Sequence, residues 1–319
     1  MKKEKVTIIG TLNMELILAP LKKIPSWGKQ VLVEKFDLAG AGSAARVAFP
    51  LARLGIKSFI LSNIGDDPYG KIILENLKDY DLSREGVEII KGERTGFCLS
   101  VVKNNGRRFF LSHLGSLSSF GKEAIERYYS LIQKTDYLLL TSYFNLPNLG
   151  LETTKMVFKR AKKEGKVILL DPGWDPSGWP KKHREEILSL LEDVDIFLPN
   201  EEEAKILTGS DSSERAAKLL ISMGPQEVII KLGEKGLLAQ DRNCLYQEEA
   251  FPARVVDTTA AGETFNAGIL YGLIKKMNLG SRLKYANALA SLVISMVKKE
   301  YPSAKEVEKL LKQRRRKDA

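Results

Sequence analysis

"VVDTTAAGETFNAG", residues 255–268, runs from a β-branched pair through a turn of small residues into a helical pattern. Ala260, Ala261 and Gly262 lead into that helix, and Glu263 stands on its first turn. The first amides of a helix lack partners within it and point along the positive end of its dipole, which suits a phosphate. Side chains without bulk let the phosphate approach the backbone. A carboxylate on the same turn can accept a proton from a hydroxyl that attacks the phosphate. Glu263 can equally do no more than complement the helix dipole. Local sequence leaves both readings standing.

Outward from this stretch, short apolar runs alternate with helical patterns. "KVTIIG" (5–10), "SFILSNIG" (58–65), "DYLLLTS" (136–142), "KVILLDP" (166–172), "DIFLPN" (195–200) and "EVIIKLG" (227–233) are continuous apolar runs. Such runs suit strands buried on both faces of a parallel sheet. Between them lie helical stretches such as "LETTKMVFKRAKKEG" (151–165) and "SERAAKLLISMG" (213–224), each closed by a glycine. The alternation predicts an α/β fold with a doubly wound, mostly parallel sheet flanked by helices. Two stretches break it. Residues 29–38 and 94–112 alternate polar and apolar with period two, and the second carries a hairpin signal, "NNG", at 104–106. They are expected to form a small antiparallel β lid. One domain over 1–319 is expected, with lid strands drawn from about 11–40 and 92–115.

Composition narrows the function. The chain has 319 residues, 44% hydrophobic and 28% charged, and is long enough to bury a large core without disulfides. Two cysteines and two histidines rule out a disulfide framework and a three-histidine metal centre. No apolar run reaches the length of a membrane span, and the N-terminus lacks a secretory core, so the cytoplasm is the expected location. The net charge of +10 invites a nucleic-acid reading, yet half of it comes from residues 298–319, with nine Lys/Arg against four Asp/Glu. Residues 300–319 read as a basic helix end and tail, and neither nucleic acid nor membrane is expected as a partner.

Ligands of doubly wound sheets bind at the carboxyl ends of the strands. Polar and glycine residues crowd those ends here. "PNEEEA" (199–204) puts Asn200 and Glu203 on one face of a helix start, where they can hold Mg²⁺ through water or simply cap the helix. "KLGEKG" (231–236) is a strand followed by a turn flanked by Gly233 and Gly236, against which a phosphate or adenine can lie.

Taken in order, these motifs resemble the ribokinase-like (PfkB) family of carbohydrate kinases. "DTTAAGETF" resembles the family's second signature, "NEEE" its magnesium-associated N-x-x-E, and "KLGEKG" its nucleotide-side turn. "GTLNMEL" (10–16), "AGSAARVAFPLARLG" (41–55) and "NIGDDPYG" (63–70) resemble the opening motif, the first signature and the G-x-D-x-x-G that follows. The resemblance spans about 5–298 and implies ATP and Mg²⁺ as cofactors and a small sugar-like acceptor. It implies a base at residue 263 and an anion hole at Ala260, Ala261 and Gly262. Substrate contacts are implied at Asn13, Glu15, Gly42, Arg46 and Asp257, and nucleotide contacts at Asn200, Lys231, Gly233 and Gly236. Glu203 is implied as the water-mediated magnesium residue. A homodimer through the lid is left open.

The departures bear on activity. The family's catalytic aspartate is Glu263 here, and a preceding glycine is Ala260. The substrate-contacting aspartate is Glu15, the asparagine of the first signature is Arg46, and that signature's first glycine is Ala41. Arg46 either receives an anionic group of the acceptor or pairs with Glu15 and fills the sugar site. The first arrangement gives a kinase for an unusual acceptor. The second gives a catalytically silent protein that binds nucleotide or metabolite and regulates a partner. Transfer to a nucleoside or a vitamin-like alcohol is a third reading.

Overall fold

In a computed structural model, which describes residues 5–21, 23–103, 108–296 and 301–317, the apolar runs become strands of one large sheet. Its parallel strands are β1 (Val6–Ile9), β4 (Ser58–Gly65), β5 (Val87–Ile90), β8 (Tyr137–Thr141), β9 (Val167–Asp171), β10 (Ile196–Phe197) and β11 (Glu227–Lys231). β12 (Leu237–Asp241) and β13 (Leu245–Glu248) add antiparallel at one edge, and the order is β13-β12-β11-β10-β9-β8-β1-β4-β5. β2 (Asn13–Leu21), β3 (Lys35–Ala41), β6 (Gly96–Lys103) and β7 (Arg108–His113) form a second sheet in the order β3-β2-β6-β7.

Neighbouring residues on a strand face opposite sides. Ile8 therefore enters the core packed by α1 (Ser43–Arg53), α2 (Pro68–Asp79), α8 (Ala261–Ile274), α9 (Leu279–Ile294) and α10 (Ala304–Lys317). Ile9 enters the one packed by α3 (Lys122–Gln133), α4 (Gly150–Lys163), α5 (Lys181–Leu190), α6 (Glu201–Thr208) and α7 (Ser213–Ile221). Both faces are dry, which is why these strands are mostly apolar, and Thr7, Ser58, Ser62 and Asn63 are buried polar exceptions. Their carboxyl ends share one edge, where Thr11, Thr141, Asp171, Asn200 and Lys231 collect. Among the described residues no helix is long and apolar enough to cross a membrane.

Some elements differ from the sequence reading. Residues 29–34 form no strand, because β2 ends at Leu21 and its ladder with β3 reaches back only to Ala19–Lys35. Val31, Leu32 and Val33 find no strand to pair with among the described residues and lie exposed. The β2–β3 and β6–β7 pairs are antiparallel as expected, whereas β2 and β6 run parallel where the two pairs join. The "NNG" signal falls outside the described residues. "DIFLPN" gives only a two-residue strand, since Pro199 has no N–H to donate, and a single bridge then links Asn200 to Lys231. The basic stretch 312–317 is helical to the end of α10, and residues 318–319 lie outside the described set.

The helix carrying Glu263 is set by close packing on α9. A Cβ on Gly268 would lie 2.5 Å from the Ala286 Cα, so the two backbones touch there. Gly268→Ala is expected to lower stability by roughly 1–3 kcal/mol through overpacking. Chemical denaturation checks it, and an unchanged midpoint would remove this contact as the one that seats the helix.

Candidate active site

The leader of α8 is folded by its own polar groups. Asp257 accepts hydrogen bonds from the Thr259 amide at 2.8 Å and the Thr259 hydroxyl at 2.6 Å. Ala260 then adopts the left-handed conformation, with φ 66° and ψ 8°. That geometry costs an L-residue about 1–2 kcal/mol, which explains why glycine suits the position. Ala261 gives its N–H to the Thr258 carbonyl at 3.3 Å, so this amide, expected in the anion hole, is drawn into the turn instead. The amides of Ala260, Gly262 and Glu263 find no acceptor among the described residues. The Glu263 carboxylate likewise makes no hydrogen bond or ion pair among them. It acts electrostatically on Arg108, Lys231 and Tyr301.

Opposite stands a wall built from the two N-terminal motifs. Thr11 and Ser43 bond reciprocally, the Ser43 amide donating to the Thr11 hydroxyl at 2.9 Å and the Thr11 amide to the Ser43 hydroxyl at 3.1 Å. Gly42, with φ 92°, presses against this pair. A Cβ there would fall 2.4 Å from the Thr11 carbonyl and 2.8 Å from Asn13 Oδ1. Asn13, Gly42, Glu15 and Arg46 are thus brought together. Glu15 on β2 and Arg46 on α1 are both buried and form an ion pair, the second of the two arrangements their sequence allows. Ala41 is buried beside them.

Arg108 was not singled out in the sequence. It opens β7 and crosses to the leader of α8, where its guanidinium donates to the Thr258 and Thr259 hydroxyls and faces Asp257 at 3.9 Å. Burial lowers its pKa, and Asp257 works in the opposite direction. The local hint is an arginine directly before the apolar run Phe109, Phe110 and Leu111. Nothing in the pattern says which loop that strand will meet. At the base of the second sheet, Asp67 accepts from the Gly70 amide at 2.8 Å, the Thr95 amide at 3.0 Å and the Thr95 hydroxyl at 2.6 Å. Burial works to raise the Asp67 pKa, but these bonds outweigh it and hold the carboxyl below its usual range.

The remaining predicted residues meet around Asp171. Its Oδ2 accepts the Lys231 ammonium at 2.8 Å and the Asn266 amide at 2.5 Å. Asn200 and Glu203 close a capping box, each backbone N–H donating to the other's side chain at 2.8 Å. The capping role is therefore real, yet Glu203 is also buried. Burial and the nearby Asp171 push its pKa up to about 7, against the pull of Lys231. Gly233 and Gly236, with φ 63° and 93°, shape the turn after β11. A Cβ on Gly236 would strike the Glu248 carbonyl, whereas one on Gly233 would meet open space.

Among the described residues no three His, Cys, Asp or Glu side chains are grouped to hold a metal. Asp171 and Glu203 nevertheless fit a hydrated divalent cation, because two buried carboxylates facing one ammonium leave an excess of negative charge.

Residues 3–305 match the pfkB family carbohydrate kinase profile, and the chain belongs to that family. It is similar to ribokinase of Haemophilus influenzae, 28% identical over 299 residues covering 92% of this chain and 93% of that one. Ribokinase of Bacillus subtilis is 29% identical, with 96% and 99% covered. An ATP-dependent 6-phosphofructokinase of Thermoanaerobacterium thermosaccharolyticum is 26% identical, with 93% and 89% covered. Among solved structures, Arabidopsis thaliana ribokinase complexed with ribose and ATP superposes with a TM-score of 0.83 at 25% identity, covering 98% and 99%. The large, mostly parallel sheet with a small second sheet is the ribokinase fold.

The Glu203 carboxyl predicts a pH dependence. Its folded-state pKa of about 7 lies above the ordinary 4.5, so its contribution to stability is full below pH 4.5 and is lost as pH rises to 7. In metal-free buffer, Glu203→Gln should flatten the fall in melting temperature across that window. An identical slope in both proteins would show that Glu203 ionises normally.

Proposed function

We propose that the protein is an ATP-dependent kinase that phosphorylates a hydroxyl of a sugar or sugar-like metabolite. One observation carries this reading. The Glu263 carboxylate has no protein partner among the described residues and follows directly on amides that have none. Glu263 takes the proton of the acceptor hydroxyl as that oxygen attacks the terminal phosphorus. The amides of Ala260, Gly262 and Glu263 receive the charge on the transferring group, the kind of fixed stabilisation that dominates such reactions. Asp171 and Glu203 would hold Mg²⁺, Glu203 through water, and the ion would supply neutralisation of phosphate charge. Asn200, Lys231, Gly233 and Gly236 lie on the nucleotide side.

Asn13, Glu15, Gly42, Arg46 and Asp257 face the acceptor. Two guanidinium groups on that side, Arg46 and Arg108, support an acceptor with an anionic group that exchanges with Glu15 or Asp257. The second sheet acts as the lid, with Arg108 fastening it to the leader of α8 and excluding water from the transfer. A reaction drawing on ATP suits the cytoplasm.

The lid also supports a homodimer. Its outer face presents the cross-strand rows Leu38–Leu16–Leu99–Leu111 and Phe36–Leu18–Val101–Phe109, and Phe36, Leu38, Phe109 and Leu111 are exposed. A second copy of the same face would cover them.

The Glu15–Arg46 pair is the observation that favours the silent alternative, because it occupies the acceptor wall. Two variants separate the readings. Glu263→Gln should reduce turnover by roughly 10²–10⁴-fold, the usual weight of a general base, while ATP affinity stays within a few-fold. Unchanged turnover would remove Glu263 from the mechanism. Replacing the pair together, as Glu15→Gln with Arg46→Met, avoids stranding one buried charge and should raise the acceptor KM while sparing that of ATP. An effect on ATP alone would contradict the assignment of this wall.

A further inference from the structure

The ammonium of Lys231 lies where its bond to Asp171 is not its only use. Lys231 ends β11, its amide held by the Pro199 carbonyl at 2.9 Å and its backbone bridged to Asn200. The side chain is 14% exposed and runs along the first turn of α8. A Cβ on Gly262 would lie 3.7 Å from Nζ and 3.9 Å from Cδ. One ammonium N–H goes to Asp171 Oδ2, and no other acceptor is found among the described residues. Two donors are therefore left beside the unpartnered amides of Gly262 and Glu263. Asp171 also grips Asn266, which lies one turn after Gly262 on α8, so strand, lysine and helix are fixed relative to one another.

A purely structural ion pair explains this arrangement poorly. The ammonium sits beside the first turn of α8, where the amides of Gly262 and Glu263 find no acceptor among the described residues. We propose that Lys231 is a catalytic residue of the transfer, the fixed cation that donates hydrogen bonds to the terminal phosphate oxygens while the amides of α8 hold them from the other side. This rests on the kinase reading.

In the step, the acceptor oxygen bonds to the terminal phosphorus as the bond from phosphorus to the bridging oxygen breaks. The electron pair leaves with ADP, and the acceptor proton goes to Glu263. Lys231 keeps its proton throughout. A compact ammonium can follow a phosphoryl group as it moves, which a planar guanidinium does less well.

The test uses the full chain with Lys231→Met and Lys231→Gln. The Gln variant keeps a donor for Asp171 should the Met variant fail to fold. Titration calorimetry with ATP, ADP and AMP gives the ratio of ATP to AMP affinity, and product assays give turnover. Both variants should lose roughly ten- to a hundredfold in that ratio, in keeping with loss of a charge-assisted contact, with AMP affinity within about twofold and turnover reduced. An unchanged ratio overturns the proposal, as does a wild type that binds ATP and AMP equally, or a collapsed ratio with full turnover. A wild type that transfers to no acceptor, with the ratio still lost in the variants, sinks the kinase reading but supports the phosphate contact.

Discussion

Asp171, at the carboxyl end of β9, accepts the Gly173 amide on Oδ1 and donors from two other elements on Oδ2. One of its oxygens receives both the ammonium at the end of β11 and the amide of Asn266 on α8. A buried carboxylate is costly unless its charge is met, and here two donors from different layers meet it. The sheet edge and the helix that carries Glu263 are joined by that requirement. Glu203 adds a second acid to the same cluster, and its carboxyl is driven toward the protonated form by burial first and by the neighbouring Asp171 second. A hydrated divalent cation would relieve this, so nucleotide chemistry and local stability draw on the same charges.

The acceptor side follows a different plan. Glu15 and Arg46 neutralise each other out of water, and their pairing ties β2 of the second sheet to α1 of the main body. Arg108 makes a parallel link from β7 to the leader of α8. Both links tie the small sheet to elements that frame the site, so its placement and the form of the acceptor wall are coupled. Glu263 reaches about one methylene further than an aspartate would, and about 1 Å of misplacement can cost a hundredfold in rate. Glu15 and the Arg46 guanidinium stand in the facing wall.

Much of this was legible in the residues. Strands such as "SFILSNIG" announce themselves because burial on both faces favours apolar residues on either side, and β4 spans the whole run. The turn from Asp257 to Glu263 was legible because free helix amides and small residues have a distinct chemical signature. Residues 29–34 misled, since alternation signals a strand only where a partner lies alongside. Arg108 was hidden for the converse reason. Its significance comes from a contact across about 150 residues that no local pattern encodes. The use of the Ala261 amide inside its own turn depends on the left-handed Ala260, which a glycine-like motif conceals when alanine fills it.

Phosphorus NMR reads the proposed phosphoryl transfer from ATP to an acceptor hydroxyl directly. Wild-type protein would be followed with Mg-ATP against neutral, phosphorylated and acidic sugars, nucleosides and polyols. The prediction is that the terminal phosphate signal of ATP declines only with an acceptor present, and that a new phosphomonoester resonance grows in equal measure. A spectrum that stays unchanged with every acceptor, or one that shows only inorganic phosphate, would contradict it.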